Sequence, residues 1–306
     1  MTRACRGLAA ALAASALALA SYAPDRVEVK PQVDPVLQEA RTVNQSRHVS
    51  DRFEENPVVV DDSDGFATSE LFFSSSEVLI LADESPASQL RAASLAVVVH
   101  APMIIYHGDR HARVIREIER LSTHTIFAVG DVPVLGYTEQ LKVIKDPGGR
   151  EALEKATALR FGEKNVERPE DAAAAVAALD EKEPEWLRAD YGPPQHVSDG
   201  AAAAVVPVRS RQDAEMAPQV IALPSTSIAS IATARAFGAS VYVTDDPDPR
   251  ASERTLVLTA GLSDKPLVAL GRFGPAAELG ERIREAEAAV APGDLNDISS
   301  LPQSPN

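Results

Sequence analysis

The feature that most constrains this chain is an order of apolar and helical segments that occurs twice. The short apolar runs of the first copy are residues 78–82, 103–106 and 125–129, and those of the second copy are 220–223, 240–243 and 266–270. In both copies a helical pattern fills each gap between the runs. Short apolar runs that alternate with helices are typical of parallel sheets with crossover helices. The sequence therefore predicts two strand-helix-strand-helix-strand units.

Local signals within the copies agree with this interpretation. Ser85 and Pro86 form an N-cap followed by proline at the first helical position, which predicts a helix through about Val99. Pairing residues 128–130 (AVG) with 269–271 (ALG) gives an offset of 141 residues between the copies. We therefore predict an α/β fold of two related Rossmann-like β-α-β-α-β units with parallel sheets, plus a helical middle segment.

This pattern divides the chain into six parts. The predicted parts are a signal peptide (1–20), an extended N-terminal tether (21–62), the first α/β unit (63–145), a helical middle segment and linker (146–204), the second, degenerate unit (205–291) and a flexible tail (292–306). Proline-rich, polar composition without periodicity is the basis for the tether.

The amino terminus has the features of an export signal. Arg3 and Arg6 precede a run of Ala, Leu, Gly and Ser, and Ala18-Leu19-Ala20 places small residues where a signal peptidase cleaves. We expect cleavage after Ala20; retention as a membrane anchor is the alternative, although the run is short for a span. Ser21 stands where a lipoprotein would need cysteine. No later segment is apolar enough to predict a transmembrane helix, so the mature chain is expected to have none.

Charge and cysteine content exclude several classes. The formal net charge is -15 and aromatic residues make up 5% of the chain, which disfavours nucleic acid as a partner. Cys5 is the only cysteine, so disulfide frameworks and cysteine-based metal sites are excluded.

One stretch, from residue 66 to residue 134, resembles the cell wall-binding repeat 2 family. Family features matched here are a Thr-Ala-like start, a helix rich in Ala and Leu, a turn before the second strand and a closing Val-Gly. The matching residues are Ala67, Thr68, Leu90, Ala92, Ala93, Leu95, Ala96, Ala101, Pro102, Val129 and Gly130. The resemblance implies a secreted, non-catalytic protein held on an anionic wall polymer.

Candidate binding residues follow the strands, because ligands of open parallel sheets collect at the strands' carboxyl ends. The candidates are Ser85, Ser88, His107, Asp109, Arg110, Asp131, Ser225, Thr226, Asp246, Arg250 and Arg272. Arg110, Arg250 and Arg272 are candidates for gripping phosphate or carboxylate, since a guanidinium can donate two hydrogen bonds. The alternative is that each of them is a solvated surface charge.

Motifs for catalysis, nucleotides or metals are absent from the sequence. Neither a G-x-S-x-G elbow nor a P-loop or G-x-G-x-x-G fingerprint follows a predicted strand. His107, Asp109 and His111 could form a metal cluster, but no further ligand is marked. No catalytic residue, metal or cofactor is therefore predicted.

We expect a secreted cell-envelope protein of a Gram-positive bacterium that associates with the wall through a wall polymer or a peptidoglycan-associated glycan. Abundant alanine and a preference for arginine over lysine are typical of actinobacteria. The alternative is an extracellular solute-binding or envelope-biogenesis factor with a small ligand or partner protein in the cleft between the units. An enzyme acting on wall glycans would need two carboxylates in one cleft, which the sequence does not single out. Self-association is left open.

Overall fold

The computed structural model describes residues 33–133, 141–208, 216–293 and 295, all within one unit that begins at Val33. The helices are α1 (Pro35–Gln45), α2 (Phe66–Phe72), α3 (Pro86–Val99), α4 (His111–Leu121), α5 (Arg150–Thr157), α6 (Ala172–Ala177), α7 (Ile228–Phe237), α8 (Glu253–Thr259) and α9 (Ala276–Ala289). The strands are β1 (Val58–Val60), β2 (Val78–Ala82), β3 (Met103–Ile105), β4 (Thr125–Val129), β5 (Lys142–Lys145), β6 (Gly162–Val166), β7 (Glu185–Ala189), β8 (Gln219–Ala222), β9 (Val241–Val243) and β10 (Leu267–Leu270).

The first sheet has the order β3-β2-β4-β5, and all of its strands are parallel. Both β2 and β4 are buried along their whole length, as expected for central strands covered on both faces. Ile80 of β2 pairs with Met103 on one side and with Phe127 on the other. Helix α3 crosses from β2 to β3, so the carboxyl ends of β2, β3 and β4 share one edge.

The second sheet repeats this arrangement in the order β1-β10-β8-β9, again with parallel strands. Strands β8, β9 and β10 take the places of β2, β3 and β4. Gly130 and Gly271, which close the two copies, both adopt positive φ, at 87° and 107°. The predicted α/β class with parallel sheets is confirmed, as is the order of elements within both copies.

The predicted tether at 21–62 is wrong over its described part. Asp34 caps α1 by accepting hydrogen bonds from the N–H groups of Val36 and Leu37. The buried face of α1 then packs on α8 and α9 in a small apolar cluster that includes Leu37. β1 adds the outer strand of the second sheet by pairing with β10. The prolines and polar residues of this segment led to the prediction of an extended tether, so helix α1 and strand β1 were missed.

The middle segment is also not simply helical. Its strands β6 and β7 form a parallel two-stranded sheet, and β7 packs on α3. Polar side chains dominate both strands, which removed the apolar signal, but Leu187 of β7 is buried and its N–H donates to Oγ of Ser94 on α3 (2.9 Å). In the predicted second unit (205–291), the first described element is β8, which begins at Gln219.

The ends of the chain fall largely outside the described residues, including the predicted signal peptide and most of the predicted tail. Within the predicted tail, the N–H of Gly293 donates to Asp34 (2.8 Å) and Leu295 joins the apolar cluster under α1. No helix among the described residues is long and apolar enough to cross a membrane.

The two copies share one core. Helices α3 and α7 pack against each other, and a single apolar cluster includes buried residues of both sheets. Oγ1 of Thr233 on α7 lies within hydrogen-bonding distance of the N–H (3.0 Å) and the carbonyl oxygen (3.2 Å) of Met103. The strand ends of both sheets are therefore held in a fixed relation to each other.

Candidate functional site

A polar cleft of about 470 Å³ lies where the loop after β1 meets the loops after β2 and β3. We call it the central cleft. Its walls include the polar side chains of Ser63, Asp64, Glu84, Gln89, His107, Asp109, Arg110 and Ser227. Since β1 belongs to the second sheet and β2 and β3 to the first, both copies contribute to this cleft.

Asp64 is the carboxylate that both His107 and Arg110 contact in the central cleft, and it is only 2% exposed. Its Oδ1 accepts a hydrogen bond from Oγ of Ser63 (2.8 Å) and lies 3.2 Å from Nε2 of His107. Its Oδ2 lies 2.5 Å from Nη1 of Arg110. A carboxylate this buried needs strong partners, because burial without them is costly.

His107 lies between two carboxylates. Nε2 faces Asp64, and Nδ1 lies 3.1 Å from Oε1 of Glu84. A neutral imidazole carries only one N–H, so both contacts can be hydrogen bonds only when the ring is doubly protonated. With Asp109 also on the wall, carboxylates outnumber cationic groups in the central cleft.

The loop that carries Asp64 is fixed by its own hydrogen bonds. The carboxylate of Asp62 accepts from the N–H groups of Gly65 (3.0 Å) and Thr68 (2.9 Å), which closes the turn into α2. Gly65 has φ of 95°, and a side chain there would meet the carbonyl oxygen of Met103. The cleft is therefore supported by backbone contacts on both sides of Asp64.

The N-terminus of α7 forms the opposite wall. Ser227 is the N-cap of α7 but makes no side-chain cap, because its Oγ donates to the carbonyl oxygen of Ser63 (2.8 Å). Oγ of Ser230 donates to the carbonyl oxygen of Asp62 (3.0 Å). These bonds tie the second copy to the loop that carries Asp64.

A second cleft of about 560 Å³ adjoins the first and shares Gln89 and Ser227 with it. Its walls include Pro86, Glu170, Tyr191 and Ser225. Burial, followed by the charges of Asp171 and Glu170, raises the pKa of Tyr191 above its ordinary value. The Tyr191 phenol is therefore a neutral group that can donate or accept a hydrogen bond.

The structure brings three of the predicted residues of the first copy together. His107, Asp109 and Arg110 all line the central cleft.

The other first-copy candidates serve the turn at the start of α3. Oγ of Ser85 donates to Asp83 (2.7 Å) and accepts from the N–H of Ser88 (3.2 Å), while Ser88 itself is fully buried. Asp131 is exposed, and its N–H donates to Oδ2 of Asp83 (2.7 Å). Ser85 and Ser88 thus shape the backbone at the edge of the sheet.

Two candidates of the second copy, Ser225 and Thr226, line the second cleft, whereas Asp246 shapes a turn. Thr226 is buried, and its Oγ1 donates to the carbonyl oxygen of Leu270 (2.7 Å). The carboxylate of Asp246 accepts from the N–H of Asp248 (2.8 Å) within a turn. Ser225 is exposed on the wall of the second cleft.

The three candidate arginines do not form a common anion site. Arg110 alone of the three lines the central cleft. Arg250 lies 2.7 Å from carboxylate oxygens of both Asp248 and Glu285, and these two hydrogen bonds raise the pKa of Arg250. Arg272 is 86% exposed, with Nε 3.8 Å from Asp61. Each of the three therefore already has a carboxylate beside it.

Asp64, the best-placed charged group of the cleft, is absent from the predicted set. Residues 58–65 read as three valines followed by an acidic, serine-containing turn and a glycine. That is the signature of a strand and the loop at its carboxyl end, and it could have identified Asp64. Asp64 was not selected because residues 21–62, which include the strand before its loop, were predicted to be an extended tether.

Among the described residues, no group of three or more His, Cys, Asp or Glu side chains has the arrangement of a metal site. The hydroxyl, amide, carboxylate and guanidinium groups of the central cleft can instead donate and accept hydrogen bonds to a polar ligand.

Fold and site together define an α/β protein with three parallel sheets and a polar cleft to which the two four-stranded sheets contribute loops. Comparison with protein-family models, curated proteins and solved structures finds no match for this chain. The resemblance to the cell wall-binding repeat 2 family therefore stays a prediction.

Proposed function

We propose that this protein is a secreted, non-catalytic cell-envelope protein that associates with the cell wall by binding a wall glycan in the central cleft. The observation that carries the proposal is the cleft itself, which joins loops of both sheets around the buried carboxylate of Asp64. Its volume of about 470 Å³ is within the usual range for ligand sites. The predicted export signal and the resemblance to the cell wall-binding repeat 2 family support the location.

The side chains of the cleft suit a sugar better than an anionic polymer. Carboxylates accept from sugar hydroxyl groups, and serine, amide and guanidinium groups can donate to sugar oxygens. Gln89 donates through Nε2 to the carbonyl oxygen of Glu84 (2.9 Å), and its side-chain oxygen can accept a hydrogen bond from a sugar hydroxyl group. Among the charged residues there, Asp64, Glu84 and Asp109 outnumber Arg110, which disfavours a polyanion.

Co-sedimentation with purified Gram-positive sacculi tests the proposal. We expect retention before and after the anionic polymers are stripped, and little loss of retention in Arg250→Ala and Arg272→Ala, whose side chains lie outside the central cleft. Retention that needs the anionic polymers and is lost in those variants would replace the glycan by the polymer as the target. No retention in any condition would overturn wall association.

The second candidate is an extracellular solute-binding or envelope-biogenesis factor. The second cleft favours it, because together the adjoining clefts offer more room than one sugar ring needs. A saturable rise of the melting temperature with a small ligand, without retention on sacculi, would support this candidate.

A further inference from the structure

Asp64 has an unused hydrogen-bonding capacity that bears on what the central cleft binds. The carboxylate is 2% exposed, and Oδ2 is buried without a hydrogen-bond partner. Nη1 of Arg110 lies 2.5 Å away, and this ion pair balances the charge of Oδ2. A buried carboxylate oxygen that has an ion pair but no hydrogen-bond partner can accept a hydrogen bond from a ligand.

Arg110 is the exposed partner of this ion pair, so its side chain can move into water while Asp64 stays in place. Its side chain is 41% exposed, in contrast to the buried Asp64. Arg110 is the last residue of the short 3₁₀ turn Gly108–Arg110, and its contact with Asp64 is its only ion pair among the described residues. Moving the guanidinium into water would expose Oδ2 at the bottom of the cleft without unfolding an element.

The surroundings favour a cation as the replacement. Glu84, whose side chain is 72% exposed, and Asp109 lie on the same walls as Asp64. Once Arg110 moves out, carboxylates form most of the charged surface of the cleft. An ammonium group is compact and carries three donors that rotate together about one bond, so it can direct an N–H at Oδ2 in a space too small for a planar guanidinium.

We propose that the central cleft recognises the free amine of a hexosamine, with Asp64 as the anchoring carboxylate and Arg110 as the internal cation that the ligand displaces. This inference rests on the proposed glycan function and narrows its ligand class. Ser63, Gln89 and Ser227 lie on the same walls, where their polar groups can meet the ring hydroxyls. An N-acetylated sugar lacks the charge and has a single amide N–H in place of three donors.

The test is isothermal titration of the purified full chain with a chitosan tetraose and with its fully N-acetylated counterpart, at a mildly acidic pH that keeps the amine protonated. The free amine should bind at least about tenfold more tightly, since hydrogen bonds to charged groups are the stronger kind. Equal affinity for the two sugars would overturn amine recognition and leave glycan binding standing.

Three variants separate the roles of the residues. Asp64→Asn and Glu84→Gln should both weaken binding of the free amine, Asp64→Asn by about tenfold or more. Arg110→Gln should strengthen it, because the internal competitor is gone. Asp131→Asn is the matched control, as it removes one exposed carboxylate at the same edge of the sheet outside the cleft and should leave affinity unchanged. A loss of affinity in Arg110→Gln, or an equal loss in Asp131→Asn and Glu84→Gln, would refute the assignment.

Stability measurements keep the test decisive if Asp64→Asn folds poorly. Arg110→Gln should lower the melting temperature, and a saturating chitosan tetraose should restore it, because the ligand amine replaces the lost cation beside Asp64. No restoration would count against displacement.

An amine of a diamino acid offers the same chemistry, so Nα-acetyl-lysine methylamide is titrated in parallel. Affinity equal to that of the chitosan tetraose would reject the hexosamine. No binding of either sugar by a chain that is retained on sacculi would overturn this inference alone, whereas absence of retention would overturn the proposed function.

Discussion

Replacing Arg91 with methionine should reduce the free energy of unfolding by about 3–5 kcal/mol, since it leaves a buried carboxylate without its ion-pair partner. Arg91 on α3 and Asp146 after β5 have side chains that are 1% and 0% exposed. Nε lies 2.5 Å from Oδ2, and Nη2 donates to Oδ1 (2.9 Å) and to the carbonyl oxygen of Gly149 (2.8 Å). The guanidinium also lies 5.1 Å from the centre of the Trp186 ring.

The expected loss of unfolding free energy follows from the contacts that Asp146 retains in Arg91→Met. After the substitution, Nε2 of Gln195 still donates to its Oδ2 (2.6 Å), but no cation remains beside it. Domain stabilities of about 5–15 kcal/mol mean that such a loss removes a large part of the total. Methionine fills much of the volume of the arginine stem, so the change reports the charge more than a cavity.

Equilibrium unfolding in urea measures this effect, and Arg188→Met is the matched control. Arg188 also lies over the Trp186 ring, at 5.2 Å, but it is exposed and pairs with Glu163 at the surface. Exposed pairs contribute about 0–1 kcal/mol, so the control should remain close to the parent. The double variant Arg91→Met/Asp146→Asn should recover part of the loss, because no uncompensated charge remains buried.

An unfolding free energy for Arg91→Met within about 1 kcal/mol of the parent, or equal to that of Arg188→Met, would refute the reasoning. So would a double variant as unstable as the sum of its two single variants.

Three further predictions concern stability, each measured by urea unfolding. Asn44→Ala removes buried hydrogen bonds to the carbonyl oxygens of Val257 and Ala260, and it should lower the free energy of unfolding by about 1–3 kcal/mol. The control is Thr42→Ala at an exposed position of α1, which should lower it by about 0.5 kcal/mol or less. Equal losses would contradict the packing of α1 on the rest of the fold. Burial acts to raise the pKa of Asp34, but backbone N–H groups of the α1 cap and of the chain near residue 293 outweigh it and hold the pKa below its ordinary value. Because the folded pKa is the lower one, this stabilisation is present above the unfolded value of about 3.9 and is lost as pH falls through the folded value. The deficit of Asp34→Ala, about 0.5–2 kcal/mol at neutral pH, should therefore shrink below about pH 4, and a pH-independent deficit would contradict the cause. Gly130→Ala should lower the free energy of unfolding by about 2–4 kcal/mol, because φ is positive there and the new Cβ would overlap the side chains of Asp83 and Ser88. The control is Gly200→Ala, at a similar φ with no atom within 4 Å of the new Cβ, which should lower it by about 1 kcal/mol. A larger loss in Gly200→Ala than in Gly130→Ala would contradict the packing argument.

The central strands and their crossover helices could be predicted from the sequence alone. β2, β4, β8 and β10 are buried on both faces, so their residues are almost continuously apolar and stand out from their surroundings. Helix α3 begins at Pro86 and ends at Val99, as its cap predicted.

Strands with fewer apolar neighbours were missed. β1 has only three residues and follows a polar helix, and β6 and β7 carry mostly charged or polar side chains. These segments form strands because they pair with other strands in the folded chain. β1, for example, pairs with β10, which is more than 200 residues away in the sequence.

For the candidate site, the sequence identified the edge of the sheet but not the cleft. His107, Asp109 and Arg110 could be placed there because each follows β3, and any residue after a parallel strand lies at that edge. Asp64 could not be joined to them, since only the pairing of β1 with the second sheet brings its loop beside the first.

The sequence by itself thus determined the α/β class, the repeated order of elements and the edge at which polar loops gather, because apolar periodicity and capping act locally. The tertiary structure decided which sheet takes β1, how α3 packs on α7, and that Asp64 and Arg110 meet in one cleft. These three features depend on pairing and packing between segments far apart in the chain. The free energies of such contacts leave no pattern in the local sequence.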